Sequence, residues 1–286
     1  MIGSVGDDVL SLCERRELSA PVALARLLAA VPNVADVRAW LRGREQDPTA
    51  GVLAELLDAH AGGAARTAAI LRSANDGGAE DGLGACRRLF DAAVAHSPEA
   101  AVAAYSLGDP AMLAQATAEI VDLLAHLGVL GPGKRLLDLG CGIGRLELAL
   151  AGRVGAITGI DISPGMIREA RARCAHLANV RLRLTSGRDL SPFPDRRFDA
   201  VIAVDSLPYL YQAGGPDLAR ALLAEAARVL RPGGDLVVLN LSYRGDLERD
   251  RTDAAAFADA LGLELVRNGS ADLALWDGRT FHFRRP

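Results

Sequence analysis

Cysteine is sparse in this 286-residue chain: four residues, Cys13, Cys86, Cys141 and Cys174, with no C-x-x-C pair. That scatter predicts neither a zinc site nor a disulfide framework, and no bound metal is expected. Aromatic residues make up only 4% of the chain, so any that gather near a candidate site carry extra weight. Lys134 is the single lysine among 32 basic residues, which reads as compositional bias with no bearing on mechanism. Basic excess is missing as well. The formal net charge is −4, whereas a broad nucleic-acid footprint needs a basic face. No nucleic-acid partner is therefore expected, and the helix-spaced Arg168, Arg171 and Arg173 read as a solvated face. No stretch offers about 20 continuous apolar residues, which argues against a membrane span. The first dozen residues lack a basic segment followed by an apolar one, so no signal peptide is evident and a cytoplasmic location is the expectation.

Two kinds of pattern are present, and they meet near residue 130. Up to that point apolar residues recur at helical spacing over 22–30, 34–42, 51–60, 64–73 and 86–95, followed by a helix over 111–127. Pro21, Pro48, Pro98 and Pro110 stand where helices begin, and Asp47, Ser97 and Asp109 precede three of them as N-caps. Residues 74–82 read as a flexible loop. From Lys134 onward, short apolar runs (135–139, 156–160, 180–184, 198–204 and 235–241) alternate with helical segments. That alternation predicts βαβ units and a parallel sheet. At the end, 273–276 and 279–283 flank Asp277-Gly278, a hairpin-turn dipeptide, so an antiparallel hairpin is expected to finish the sheet. The expected organisation is a helical region over 1–108, acting as a cap or dimerisation element, and an α/β domain over 109–286.

The chemistry starts at Leu136-Leu137-Asp138-Leu139-Gly140-Cys141-Gly142-Ile143-Gly144-Arg145, an apolar strand ending in an acid and alternating glycines. A dinucleotide fingerprint, G-x-G-x-x-G, needs glycine where Arg145 stands. Asp161 closes the next apolar run, 21 residues beyond Gly140, where an acid can accept from two ribose hydroxyls. Ser163 and Pro164 then read as an N-cap and first helical residue.

Taken in order, LLDLGCGIGRLELAL, TGIDISPGMIREAR, FPDRRFDAVIAV and ARVLRPGGDLVVLN resemble the class I S-adenosylmethionine-dependent methyltransferases. The resemblance covers roughly residues 110–286. It implies a Rossmann-like fold and S-adenosyl-L-methionine as cofactor. Asp138, Gly140, Cys141 and Gly142 would line the methionine end, Asp161 would hold the ribose, and Ile162 and Met166 would flank adenine. The family usually carries an acid for the adenine amino group. Here the segment reads Thr185-Ser186-Gly187-Arg188-Asp189-Leu190, leaving Asp189 or backbone near Arg188 for that role. The resemblance also implies a lid contact to the cofactor from Tyr105.

Methyl transfer from a sulfonium is an in-line displacement, so the protein's tasks are alignment and exclusion of water. A base matters only where the acceptor loses a proton near the transition state. Acceptor residues are expected after the fourth and fifth strands. Asp205 is suited to accept a proton or orient an amine, and Tyr209 and Tyr211 to stack on a flat acceptor. Arg244 would pair with an acidic acceptor or lie on the surface. His282 has no paired acid near it in sequence and reads as structural or solvent-facing. The implied partner is a small-molecule acceptor methylated on O, N or C, with a homodimer through the helical region as a further expectation. The alternatives are a protein or RNA target, or a non-methylating cofactor-binding scaffold or cyclase.

Overall fold

Seven strands form one sheet: β1 (Gly131–Leu139), β2 (Val154–Asp161), β3 (Val180–Leu184), β4 (Phe198–Val204), β5 (Leu230–Leu239), β6 (Glu264–Ser270) and β7 (Thr280–Arg284). The computed structural model describes residues 2–31, 33–44, 46–73 and 82–286. The strand order is β3-β2-β1-β4-β5-β7-β6. Strands β1 to β5 run parallel, and β7 lies antiparallel between β5 and β6. Parallel strands covered on both faces need apolar side chains on both. Leu136, Leu137, Val201, Ile202, Val237 and Val238 accordingly have no exposed surface. The chain builds outward from β1 to β3, then returns to the other side of β1 for β4. That reversal places a crevice at the carboxyl ends of β1 and β4, where ligands bind in open α/β sheets.

The helices are α1 (Gly3–Glu14), α2 (Ala20–Ala30), α3 (Val34–Arg42), α4 (Pro48–Ala59), α5 (Ala61–Ser73), α6 (Gly82–His96), α7 (Pro98–Val102), α8 (Pro110–His126), α9 (Arg145–Leu150), α10 (Pro164–Arg173), α11 (Leu207–Val229) and α12 (Leu247–Leu261). The caps read from sequence are in place. Asp47 accepts from the amides of Thr49 and Ala50, Ser97 from Ala100, Asp109 from Ala111 and Met112, and Ser163 from Met166. Helix α11 breaks at Gly215, whose φ of 69° no helix accommodates. The loop expected over 74–82 falls, apart from Gly82, outside the described residues. Among the described residues, no single helix is long and apolar enough to cross a membrane.

Two compact units are formed by interleaved segments. One comprises the described residues of Met1–Gly78, Leu89–Glu119 and Leu273–Asp277; the other comprises those of Ala79–Arg88, Ile120–Asp272 and Gly278–Pro286. In the helical unit Leu24, Leu27, Leu28, Leu41, Leu53 and Leu57 are fully buried. The sheet unit packs Leu139, Ile160, Val201, Leu223, Phe281 and Phe283 into one core cluster, with Leu83 from the start of α6.

The tail corrects one expectation. Strand β7 pairs with Glu264–Ser270, whereas residues 273–276 form no strand. Their backbone is satisfied inside the helical unit instead. The Glu119 carboxylate accepts from the amides of Ala274 and Leu275, and the Ser19 hydroxyl donates to the Leu275 carbonyl. Trp276 stacks on Tyr105 at a ring-centroid distance of 6.2 Å. Side-chain partners and aromatic burial thus outweigh the hairpin signal of Asp277-Gly278.

Candidate active site

At the carboxyl end of β1 the chain turns through Gly140, Gly142 and Gly144, with φ of 82°, 55° and 77°. The amides of Gly140 and Cys141 both donate to the Ile160 carbonyl, at 2.8 and 3.0 Å, which pins the turn to the end of β2. A Cβ at position 140 would lie 2.5 Å from the Cβ of Ser206, so only glycine permits this approach of the turn to the segment after β4.

Asp161 braces the same turn. Its Oδ2 accepts from the Gly142 amide and its Oδ1 from the Ser163 amide, both at 2.9 Å. One buried carboxylate therefore couples the glycine turn to the N-terminus of α10. Each carboxylate oxygen accepts more than one hydrogen bond, so this bracing is compatible with a hydroxyl ligand.

Asp138 and Glu147 form a second acidic pair, fully buried beneath the turn. None of their four oxygens meets an N–H or hydroxyl donor among the described residues; the two carboxyls instead face each other within bonding reach. Burial, with the charge of Asp161 added to it, pushes the Asp138 carboxyl up to about 7, although Glu147 and Arg145 pull it down. Burial and then the charge of Asp138 raise Glu147 well above the ordinary carboxylate range. Glu147 reaches over β2 at Gly159, where a Cβ would sit 2.3 Å from its Oε1. Cys141 is buried beside it, and its thiol is raised by burial and by Glu147.

The other residues proposed for the cofactor take varied places. Ile162 is half-buried at the end of β2, and Met166 is buried in the first turn of α10. Arg188 is exposed. Asp189 is exposed too, and its Oδ1 accepts from the Ser191 amide and hydroxyl at 2.9 and 2.5 Å, closing its own loop. Tyr105 belongs to the helical unit, in its stack with Trp276.

The ends of β4 and β5 carry the acceptor-side candidates. Asp205 and Asn240 follow these neighbouring strands, and both take left-handed backbone, with φ of 57° and 72°. Such values are uncommon outside glycine, although Asp and Asn tolerate them best. The Asp205 amide donates to the Leu239 carbonyl at 2.9 Å, and Asn240 Nδ2 donates to Asp205 Oδ1 at 2.9 Å. Tyr209 and Tyr243 pack edge to face with ring centroids 5.4 Å apart and hydroxyls 3.5 Å apart. Burial, then the charge of Asp205, raises the Tyr209 phenol above its ordinary value. Tyr243 keeps 45% of its surface exposed. Arg244 is committed to Asp250 and Asp253, at 2.8 and 2.6 Å, so the paired-acid role it was offered goes to the protein's own carboxylates.

Three features escape a reading of the sequence. Glu147 sits in an ordinary helical pattern, and nothing local marks it as buried against an acid. Asn240 and Tyr243 show their roles only once β5 lies beside β4. The start of α6 belongs to the sheet unit, where Cys86 lies near enough to Asp161 for its charge, after burial, to raise the thiol to about 12. Among the described residues, no group of three or more His, Cys, Asp or Glu is arranged to hold a metal.

A glycine turn at a sheet switch point, an acid closing β2, and polar loops after β4 and β5 form the arrangement that the resemblance to the class I S-adenosylmethionine-dependent methyltransferases implies. Residues 136–234 match the family described as a methyltransferase domain. Demethylmenaquinone methyltransferase of Tropheryma whipplei is 45% identical over 111 residues, 39% of this chain and 43% of that protein. The 27-O-demethylrifamycin SV methyltransferase of Amycolatopsis mediterranei is 35% identical over 182 residues, 62% of this chain and 61% of its own length. The chain thus spans about half the length of the relatives it matches. Among solved structures, magnesium protoporphyrin IX methyltransferase from Synechocystis PCC 6803 with bound SAM shares the fold. Its TM-score is 0.56 at 19% identity, covering 73% of this chain and all of that one.

Proposed function

We propose that this protein transfers a methyl group from S-adenosylmethionine to a small-molecule acceptor, a flat one bearing a hydroxyl. The observation that carries this reading is the convergence of two constellations on one sheet edge. The glycine turn braced by Asp161 meets the Asp205–Asn240–Tyr209–Tyr243 cluster through the contact between Gly140 and Ser206.

The residues fit the cofactor. A turn without the third dinucleotide glycine suits a ligand that carries no phosphate, and the carboxyl of Asp138, with no N–H or hydroxyl donor beside it among the described residues, suits a cationic amino-acid end. Asp138 and the turn would hold that end, Asp161 the ribose, and Ile162 the adenine. When bound, S-adenosylmethionine supplies an electrophilic methyl whose sulfur departs as a neutral thioether.

The rest falls to the chain. Tyr209 and the exposed ring of Tyr243 offer a surface on which a flat acceptor stacks. Asp205, aimed by Asn240, receives the acceptor's hydroxyl proton. The left-handed backbone at both residues costs about 1–3 kcal/mol each, and such strain concentrates where a side chain must be aimed. Relatives named for demethylmenaquinone, 27-O-demethylrifamycin SV and 2-methyl-6-phytyl-1,4-hydroquinone support a small-molecule acceptor.

The test is release of S-adenosylhomocysteine across a panel of hydroxylated aromatic and quinol compounds. With a compound that turns over, Asp205→Asn is expected to lower kcat by about 100-fold or more, the scale of general base catalysis. Affinity for S-adenosylmethionine should stay within a few-fold. Methyl transfer to macromolecules in a cell lysate, with none to its small-molecule fraction, would overturn the small-molecule reading, and an unchanged kcat in the variant would remove Asp205 as the base.

A further inference from the structure

Two buried carboxyls that face each other with no N–H or hydroxyl donor beside them are rare in a folded protein, and such a pair calls for a physical reason. Asp138, on β1, and Glu147, on α9, are 1% and 0% exposed, and they are each other's principal acidic neighbours. Two adjacent carboxylates in a low-dielectric site do not both stay ionised; one proton is retained between them. The pair lies directly under the glycine turn, at the place the proposed function assigns to the cationic end of the cofactor.

We infer that Glu147 is a positioning residue that holds a proton and donates it as a hydrogen bond to Asp138, leaving Asp138 as the single negative charge presented to a cationic amino-acid ligand. The two carboxyls already lie within reach of that bond, which lowers Asp138 and raises Glu147. The surroundings favour this division. Arg145, at the start of α9, acts on Asp138 and lowers it, whereas the charges that act on Glu147 are those of acids. The other groups facing the pair add no positive charge. Asp161 at the end of β2 is an acid that raises both carboxyls, while Cys141 in the turn and Cys174 after α10 are thiols that Glu147 itself raises. Gly159 supplies the space: any larger residue at this position would displace Glu147 Oε1. The inference rests on the cofactor assignment only for the ligand. The proton between the two acids is a property of the ligand-free protein.

The experiment has two arms. In the ligand-free protein at pH 8, infrared spectroscopy should show one buried protonated carboxyl that persists in Asp138→Asn and disappears in Glu147→Gln. In the second arm, binding of S-adenosylmethionine is followed by calorimetry as a function of pH. Binding should weaken in acid as Asp138 takes up a proton. Glu147→Gln, a neutral donor of the same length, should keep the acid midpoint where it is and bind within about threefold of the wild type. Glu147→Leu, with no donor, should move the midpoint upward and weaken binding at pH 7 by about tenfold or more, since Asp138 then loses the hydrogen bond that stabilises its charge.

A downward shift of one pH unit or more in Glu147→Gln would show that Glu147 is a resident anion and overturn the inference. Unchanged binding in Glu147→Leu would do the same by reducing Glu147 to packing. If the leucine variant does not fold, the infrared band decides the matter, and its absence in the wild type is fatal. Failure of the wild type to bind S-adenosylmethionine would sink the cofactor assignment while the infrared arm still tests the pair.

Discussion

Asp161→Ala is expected to reduce affinity for S-adenosylmethionine by roughly 100-fold or more, equivalent to about 2.7 kcal/mol. Two losses combine. The proposed ribose contact disappears, and so does the brace between Gly142 and Ser163, whose amides both donate to this carboxylate. Hydrogen bonds to a charged group contribute about 1.5–3 kcal/mol each, and a buried amide left without a partner costs a similar amount. The Gly140 and Cys141 amides would still hold the turn to the Ile160 carbonyl, while the Gly142 amide loses the acceptor that directs it. Calorimetric titration with the cofactor measures the effect. Asp161→Asn should fall between, because its single carbonyl oxygen serves only one of the two sites that the carboxylate's oxygens occupy. An alanine variant that binds within threefold of the wild type would remove Asp161 from the cofactor site. The thermal transition of the sheet unit should drop in both variants, more in alanine.

The sheet unit was legible because its signals are local. Leu136-Leu137 and Val201–Ala203 are uninterrupted apolar runs, which suits strands covered on both faces, and the acids and glycines that follow mark where each strand stops. Caps were legible for the same reason: Asp47, Ser97, Asp109 and Ser163 bond to amides two or three residues away. What the sequence hid depends on distant partners. Helix α1 has two glycines and no capping side chain, so it lacks the usual start signals. Residues 273–276 looked like a strand until Glu119 and Ser19 took their backbone groups. The pairing of Asp205 with Asn240 joins residues 35 apart, and no spacing rule connects strand ends before the strand order is known. Glu147 was hidden in another way: an acid in a short helix normally faces solvent, and only Gly159 on the neighbouring strand makes room for it inside.

His282, which looked solitary, has its acid 47 residues away, and Asp235→Ala should expose how much the sheet depends on that pair. Asp235 opens the inner part of β5 and is 4% exposed; its Oδ1 accepts from His282 Nε2 at 2.9 Å and from Arg284 Nε at 3.0 Å, both on β7. The parallel sheet is thereby clamped to its antiparallel edge. Alanine would leave a histidine that is 2% exposed with neither ring nitrogen bonded, because Nδ1 already lacks a partner among the described residues. Removing one member of such a buried pair costs about 3–5 kcal/mol. Burial by itself would raise the Asp235 carboxyl, but the hydrogen bonds from His282 and Arg284 outweigh it and hold the group below its ordinary value. The sign follows: a depressed carboxyl contributes stability that is fully present above its unfolded value, about 4, and is lost as the pH falls through its lower folded value. The difference between wild type and Asp235→Ala should therefore be largest near neutrality and shrink below about pH 4. Both tryptophans, Trp40 and Trp276, belong to the helical unit, so their fluorescence reports on the wrong part of the chain. Hydrogen exchange at the amides of β5 and β7 is the suitable measure, and protection there that survives the substitution at pH 7 would show that the clamp carries no weight.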